Sequence, residues 1–536
     1  MNRRQFLIGA GGVAAAAAIA GCSNRKSPAA PNKTSVPLPT LVPYTGVKPD
    51  LPAGAHGVAA AHFSYPADPP KFIDHPMGAK DPISFLLQGT SLEPKSKNHW
   101  LQAIMKDTKA DFNISIIASA DYVNKFQVAI AGGNLPDVVQ ITGVPNLPQL
   151  LDKEFVDLSD YLSGDKIKEY PGLASIATEA WKIPMLNGRL WGVPNSRPAA
   201  GSVISTRGDL LKKFGLSESP EVNSGAEFMD LCKELSDQKR GVYAFGAQPN
   251  TFVLTPLLEM AGAPNQWKVE KGAFVSINET DEMKLALEQV ANMWKAGYIH
   301  PDSFAQVAQN ITWWTAGTTS LYVQSFAGWS SYTKQNPTWN IGVVKAPKWN
   351  GGGPADKILG LAGYGDYVSI RKADPSRVKE ILRTIDYFAA PFGTQEFLTM
   401  NFGVKGTDYT LKGTDPVATE RGVAESVSPL YYCGSQIFQD IYVPGFQDLA
   451  KTEHKYLTEV MPTGVPNPAW GLYSEAAATK GVAAGSDLAD VQAAIIQGRK
   501  KLSDWDDAVK TWRQAAGDQM RDEYEKAYHK THSGKK

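Results

Sequence analysis

The first clear pattern of apolar positions is Ile-Ser-Phe-Leu-Leu at residues 83–87, which runs into Gly89-Thr90-Ser91. A short apolar run bounded by turn residues predicts a buried strand. Residues 98–110 follow with helical spacing. Residues 113–118 read as a second strand, 122–131 as a helix closed by Gly132 and Gly133, and 135–139 as a short buried strand. Alternation of strand and helix predicts a mostly parallel sheet and an α/β fold. The style returns later, with helices expected at 224–238, 282–297 and 375–389 and a strand at 365–370. Residues 487–532 read as helical, with Trp505, Val509, Trp512 and Met520 forming an apolar stripe. The sequence shows no internal repeat of fixed period.

The first 79 residues follow other rules. Arg3 and Arg4 precede 15 apolar or small residues at 6–20, and Gly21 and Cys22 come next. That stretch is shorter than the roughly 20 residues needed to cross a bilayer, so 1–21 reads as a signal peptide rather than a permanent anchor. From 22 to 79 the chain is dense in Pro, Ala and Ser, with Pro28, Pro31, Pro37, Pro39, Pro43, Pro49 and Pro52. This composition predicts a flexible spacer.

A length of 536 residues leaves room for two or three domains and for a cleft between them. Basic and acidic residues balance at 54 each, and removing the leader with Arg3 and Arg4 leaves a net charge of −2. That balance argues against nucleic acid as a partner. Of the three cysteines, Cys232 and Cys433 lie within the expected body; Cys232, beside Leu231 and Leu235, reads as a small buried apolar residue. Whether the two pair is open at this level. Thirteen tryptophans, several in segments that read as loops, suit a cleft for carbohydrate. A flat aromatic face can stack on the C–H face of a sugar ring while neighbouring polar groups bond its hydroxyls.

Several motifs carry resemblances. Ile19-Ala20-Gly21-Cys22 resembles a bacterial lipobox, which implies a diacylglycerol on Cys22, and Asn2-Arg3-Arg4-Gln5-Phe6-Leu7 resembles a twin-arginine export signal. Export by that route or by the general one both fit. Further along come Ala131-Gly132-Gly133-Asn134-Leu135-Pro136-Asp137-Val138-Val139, then Phe155-Val156-Asp157-Leu158-Ser159-Asp160-Tyr161-Leu162. Leu186-Asn187-Gly188-Arg189-Leu190-Trp191-Gly192-Val193-Pro194 follows, with the run Ser205 to Leu216 and Trp294-Lys295-Ala296-Gly297-Tyr298-Ile299-His300-Pro301-Asp302. In order and spacing they resemble the large extracellular solute-binding lipoproteins of bacterial carbohydrate ABC importers, the LplA/LipO-like members. The resemblance implies a two-lobe, periplasmic-binding-protein-like (type II) fold with a hinge and an interlobe cleft. Lobe one is expected at 80–200 plus 340–390, lobe two at 203–335 plus 392–500, and C-terminal helices, on either lobe, at 501–536.

A search for enzymatic chemistry finds no Gly-x-Ser-x-Gly elbow, no His-Glu-x-x-His and no Walker loop, so no catalytic residue is assigned. Gly351-Gly352-Gly353 is followed by Pro354 rather than a helix. An Asp-x-Asn-x-Asn-Gly run is missing, so calcium has no support, and no metal or cofactor is expected. The resemblance places ligand contacts on loops at the cleft: Ser91, Glu93, Thr142, Asn195, Arg197, Trp329, Tyr332, Tyr364 and Trp470. The leading reading is a lipid-anchored protein on the outer face of the cell membrane that binds a sugar or oligosaccharide and serves the transmembrane subunits of an ABC permease. The rivals are a surface-anchored carbohydrate-active enzyme and a binder of a non-sugar solute.

Overall fold

The computed structural model describes residues 36–89, 92–195, 197–198, 200–360, 366–425 and 429–532. The leader 1–21, the lipidation residue Cys22 and the candidate contacts Ser91 and Tyr364 lie outside the described residues.

The strand Ile83–Gln88 sends Ile83, Phe85 and Leu87 into one apolar core and Leu86 into another, because successive side chains of a strand point to opposite faces. Val138 and Val139 divide in the same way, as do Val368 and Tyr367. Both faces are therefore buried, as the near-continuous apolar run at 83–87 requires. This first sheet has five strands in the order Phe112–Ile117, Ile83–Gln88, Val138–Ile141, Tyr367–Ile370, Val193–Pro194. The first three are parallel, and Tyr367–Ile370 runs antiparallel to both its neighbours. A second sheet orders Ile341–Val344, Val203–Arg207, Thr319–Gln324, Tyr243–Phe245, with only the last pair parallel. Each sheet is the centre of one lobe.

Helix starts follow local chemistry. Asn98, Ser224 and Thr280 each cap a helix by accepting a backbone N–H three residues on, a contact worth about 1 kcal/mol. The Asn187-Gly188 pair, at φ 52° and 75°, turns the hairpin Met185–Leu186 to Arg189–Leu190, where positive φ at both central residues matches the strand twist.

The lobe boundaries differ from the expected ones. Ile341–Val344 belongs to the second sheet, so the chain returns to lobe one between 345 and 366 rather than at 340. Met400, Leu430 and Cys433 share a core with Ile83 and Val368, so much of the stretch from 392 onward packs on lobe one; the helix Gln447–Val460 then packs on lobe two. The C-terminal helices Val482–Ile496 and Asp504–Trp512 bury Leu488, Trp505 and Trp512 in the second-lobe core. Cys232 and Cys433 are free thiols in different cores.

The larger correction concerns the spacer. Residues 36–79 form a strap laid along the body rather than a loose tether. Val36, Thr40 and Val42 donate backbone hydrogen bonds to Gly188, Gly164 and Ala174 of lobe one. Ala61–His62 pairs in parallel with Ile441–Tyr442, and Val58 and Ala61 enter a second-lobe core. The Tyr65 hydroxyl donates to the Thr394 carbonyl at 2.7 Å, and the N–H groups of Phe72 and Ile73 donate to the Glu396 carboxylate. His75 Nε2 lies 2.8 Å from the fully buried Asp386 carboxylate. Proline-rich chain is already extended and loses little entropy on docking, and here aromatic packing and hydrogen bonds to the buried Glu396 and Asp386 side chains hold it.

Candidate functional site

Two of the segments that cross between the lobes meet at glycine. A Cβ on Gly201 would sit 2.8 Å from the Gly360 nitrogen, and one on Gly360 would sit 2.7 Å from the Gly201 Cα. The crossings can approach this closely only without side chains. Beside that contact lies a cavity of about 590 Å³, within the range of small-molecule sites.

Its first-lobe wall comes from strand ends and the loops beyond them: Ile141, Thr142 and Gly143, then Met185 and Leu186, then Arg197 and Tyr367. Arg197 is the single charged residue among the described lining residues. Its guanidinium carbon sits 4.8 Å from the centre of the Tyr432 ring and 5.2 Å from that of Phe438, an arrangement that favours a cation over an aromatic face. Behind this wall, Gln140 Nε2 donates to Asp366 Oδ2 at 3.1 Å while its Oε1 accepts from the Gln88 N–H. Burial pushes the Asp366 carboxyl up to about 6, against the opposing pull of Gln140 and Arg197.

The second-lobe wall is built of amides and rings. Asn265 Nδ2 donates to the carbonyls of Leu359 and Val465, at 2.9 and 3.0 Å, pinning this wall to two crossing segments. Gln266, left-handed at φ 59°, accepts from Asn467 Nδ2 at 3.1 Å. Trp267 meets Tyr524 edge to face at 5.6 Å, and both line the cavity. Gln324 and Ser325 complete the wall at the end of the strand Thr319–Gln324.

Trp470 and Tyr473 come from the loop 464–473. Asn467 shapes it, its Oδ1 accepting from the Ala469 N–H and its carbonyl from the Trp470 N–H, a side-chain mimic of a backbone turn. The result is an interlobe cleft with indole and phenol faces beside side-chain amides and hydroxyls. Such a set can stack on an apolar ring face and exchange hydrogen bonds with hydroxyls.

Of the residues singled out in the sequence, Thr142, Arg197 and Trp470 line this cavity. Asn195 is buried just behind it, its N–H directed at the Asp366 carbonyl. Glu93 is exposed and is not part of the lining. Trp329 and Tyr332 belong elsewhere. Trp329 is 1% exposed and donates its indole N–H to Ser205 Oγ at 2.7 Å, and Tyr332 packs edge-on against Trp314. Both fill the second-lobe core together with Tyr322 and Trp339, because the short helices at 326–335 turn their rings inward. Trp267, Tyr473, Tyr524 and the Asn265-Gln266 pair escaped the sequence reading. Trp267 opens a hairpin and Tyr524 sits on an amphipathic helix, where aromatic residues look like packing.

A family profile described as bacterial extracellular solute-binding protein matches residues 99–400. The chain belongs to that family. It is 23% identical over 479 residues to lipoprotein LipO of Bacillus subtilis (strain 168), covering 84% of this chain and 93% of LipO. It is 22% identical over 442 residues to the polygalacturonan/rhamnogalacturonan-binding protein YtcQ of the same organism, covering 81% and 88%. Among solved structures, the N-glycan transport solute-binding protein NgtS of Streptococcus pneumoniae superposes with a TM-score of 0.63 at 15% identity, over 85% of this chain and 100% of that one. That likeness carries the two-lobe fold.

Proposed function

We propose that this solute-binding protein captures an oligosaccharide in the interlobe cavity and presents it to the transmembrane subunits of an ABC importer, held at the outer membrane face by a lipid on Cys22. The observation that carries the reading is the composition of the cavity: Trp267, Trp470, Tyr473 and Tyr524 offer flat faces, and Thr142, Asn265, Gln266 and Gln324 offer hydroxyl partners, with one formal charge among the described lining residues. A cavity for a peptide or a phosphorylated solute would carry more charge. The relatives named for glycans support the same class of ligand. The lipobox-like run before Cys22 supports the anchor, since a diacylglycerol supplies the two chains that stable attachment requires. The chain is read as a binder and not an enzyme, because the family it belongs to is one of solute-binding proteins.

The test is a thermal-shift screen of the protein against mono- and oligosaccharides, peptides and other solutes. A ligand at about 100 times its Kd stabilises the folded state by roughly 2.7 kcal/mol, a rise of several degrees in Tm. Response to peptides but to no glycan would end the sugar assignment, and appearance of a cleaved glycan would end the pure-binder reading.

A further inference from the structure

The short run Leu472 to Ala476 alternates its attachments between the lobes. Leu472 packs against the second-lobe core, whereas Tyr473 packs against a first-lobe core. Ser474 Oγ and the Ala476 N–H both donate to Glu523 Oε2, at 2.6 and 2.9 Å, on the C-terminal helix of lobe two. Between them, Glu475 Oε2 accepts from the Asn146 N–H at 3.1 Å and from the Tyr473 hydroxyl at 2.5 Å. Asn146 precedes the first-lobe helix Leu147–Glu154 and holds a left-handed conformation at φ 55°. The Glu475 carboxylate therefore sits at a helix N-terminus, where both the unpaired N–H groups and the helix dipole favour an anion. Glu523 in turn neighbours Tyr524 on the cavity wall, and Leu147 and Tyr473 line the cavity as well.

Five consecutive residues thus tie the rim of one wall to the back of the other. We propose that the segment 472–476 is a latch that sets the spacing of the two walls, with Glu475 as its positioning residue. This rests on the reading of the cavity as the ligand site. Glu475 itself is absent from the lining; it acts by holding residues 144–147 against Tyr473. Without it the walls separate in the ligand-free protein, and the ligand must restore their spacing, which lowers apparent affinity by the fraction of molecules that are competent. Glutamine at 475 keeps the function, because its carboxamide oxygen still accepts from both the Asn146 N–H and the Tyr473 hydroxyl.

Small-angle X-ray scattering and titration calorimetry on the full chain test the latch. The probes are malto-, xylo-, manno- and galacturono-hexasaccharides. E475A is expected to enlarge the radius of gyration of the ligand-free protein and to weaken, roughly tenfold, whichever hexasaccharide the wild type binds, the change expected when a hydrogen bond is lost. E475Q is expected to match the wild type in both. A wild-type radius for E475A, or failure of E475Q to preserve the wild-type radius, overturns the latch. Scattering needs no ligand, so a wild type that binds none of the probes defeats the glycan reading while the latch is still decided. If E475A does not fold, E523A cuts the other attachment of the same segment, the bonds from Ser474 and the Ala476 N–H to lobe two, and an unchanged radius for that variant overturns the latch equally.

Discussion

On the first-lobe side, the cavity is backed by groups that carry or share charge, Arg197 with Asp366 and Gln140 behind it; on the second-lobe side it presents Trp267, Tyr524 and side-chain amides. The first arrangement responds to protonation and to the sign of a nearby charge. The second responds to ring faces and hydroxyls, and tolerates many ligands that share them. A binding protein made of both can hold a class of compounds on one wall and discriminate within the class on the other. The two walls also depend on different supports. Charged and amide groups on the first-lobe side stand on sheet ends, whereas the second wall hangs on a buried ion pair.

That pair is where the contrast is most easily broken. Lys357 Nζ lies 2.5 Å from Glu259 Oε1, both groups being at most 5% exposed, and also donates to the Ser202 carbonyl. It staples two crossing segments to the helix Leu254–Ala261 that backs the second wall. Glu259→Ala strands a buried ammonium and is expected to cost about 3–5 kcal/mol in a chemical denaturation series. A loss below about 1 kcal/mol would mean that water reaches Lys357 and that the second wall has another support.

The next effect belongs to the first wall. With its carboxyl raised to about 6, Asp366 binds more protons folded than unfolded between its ordinary range and that value. Its contribution therefore falls as pH rises from about 4 to about 6. Asp366→Asn should gain stability relative to wild type across that window, by no more than about 2–3 kcal/mol, since Asp366 keeps some solvent contact that weakens the effect. Melting both proteins at pH 4 and pH 7 checks it, and parallel pH profiles would show that Asp366 ionises freely.

The same contrast explains what could be read from the sequence. Elements fixed by neighbours in the chain were legible: the buried strand at 83–87 and the helices at 98–110, 224–238 and 282–297 rest on signals a few residues apart, and they fall on Ile83–Gln88, His99–Thr108, Gly225–Glu234 and Asp281–Ala296. Strand ends of the first wall follow from those elements, which is why Thr142 could be placed there. The strap was not legible, because Tyr65 and Thr394, or His75 and Asp386, lie over 300 residues apart, and proline-rich composition looks alike docked or loose. Lobe boundaries failed for a related reason: the pairing of Ile341–Val344 with Val203–Arg207 is set by the sheet and not by its own residues. Aromatic residues were the least separable. Trp329 and Trp470 both stand near Gly and Ser, and only the surrounding fold turns one into the core and leaves the other partly open on the cavity.

Trp470 gives the smallest of these effects and the sharpest test of the second kind of surface. Its ring is carried by the turn that Asn467 holds, and it is only partly buried, so truncation removes a face and leaves little cavity behind. Trp470→Ala should change stability by less than about 1 kcal/mol while weakening a bound oligosaccharide by about 1–1.5 kcal/mol, close to tenfold. Trp470→Phe keeps a smaller aromatic face and should recover part of the loss, because stacking needs the ring and not the indole N–H. Calorimetric titration of both variants measures this. Equal losses for Ala and Phe would assign Trp470 to a hydrogen bond rather than to stacking, and would move the second wall toward the polar character of the first.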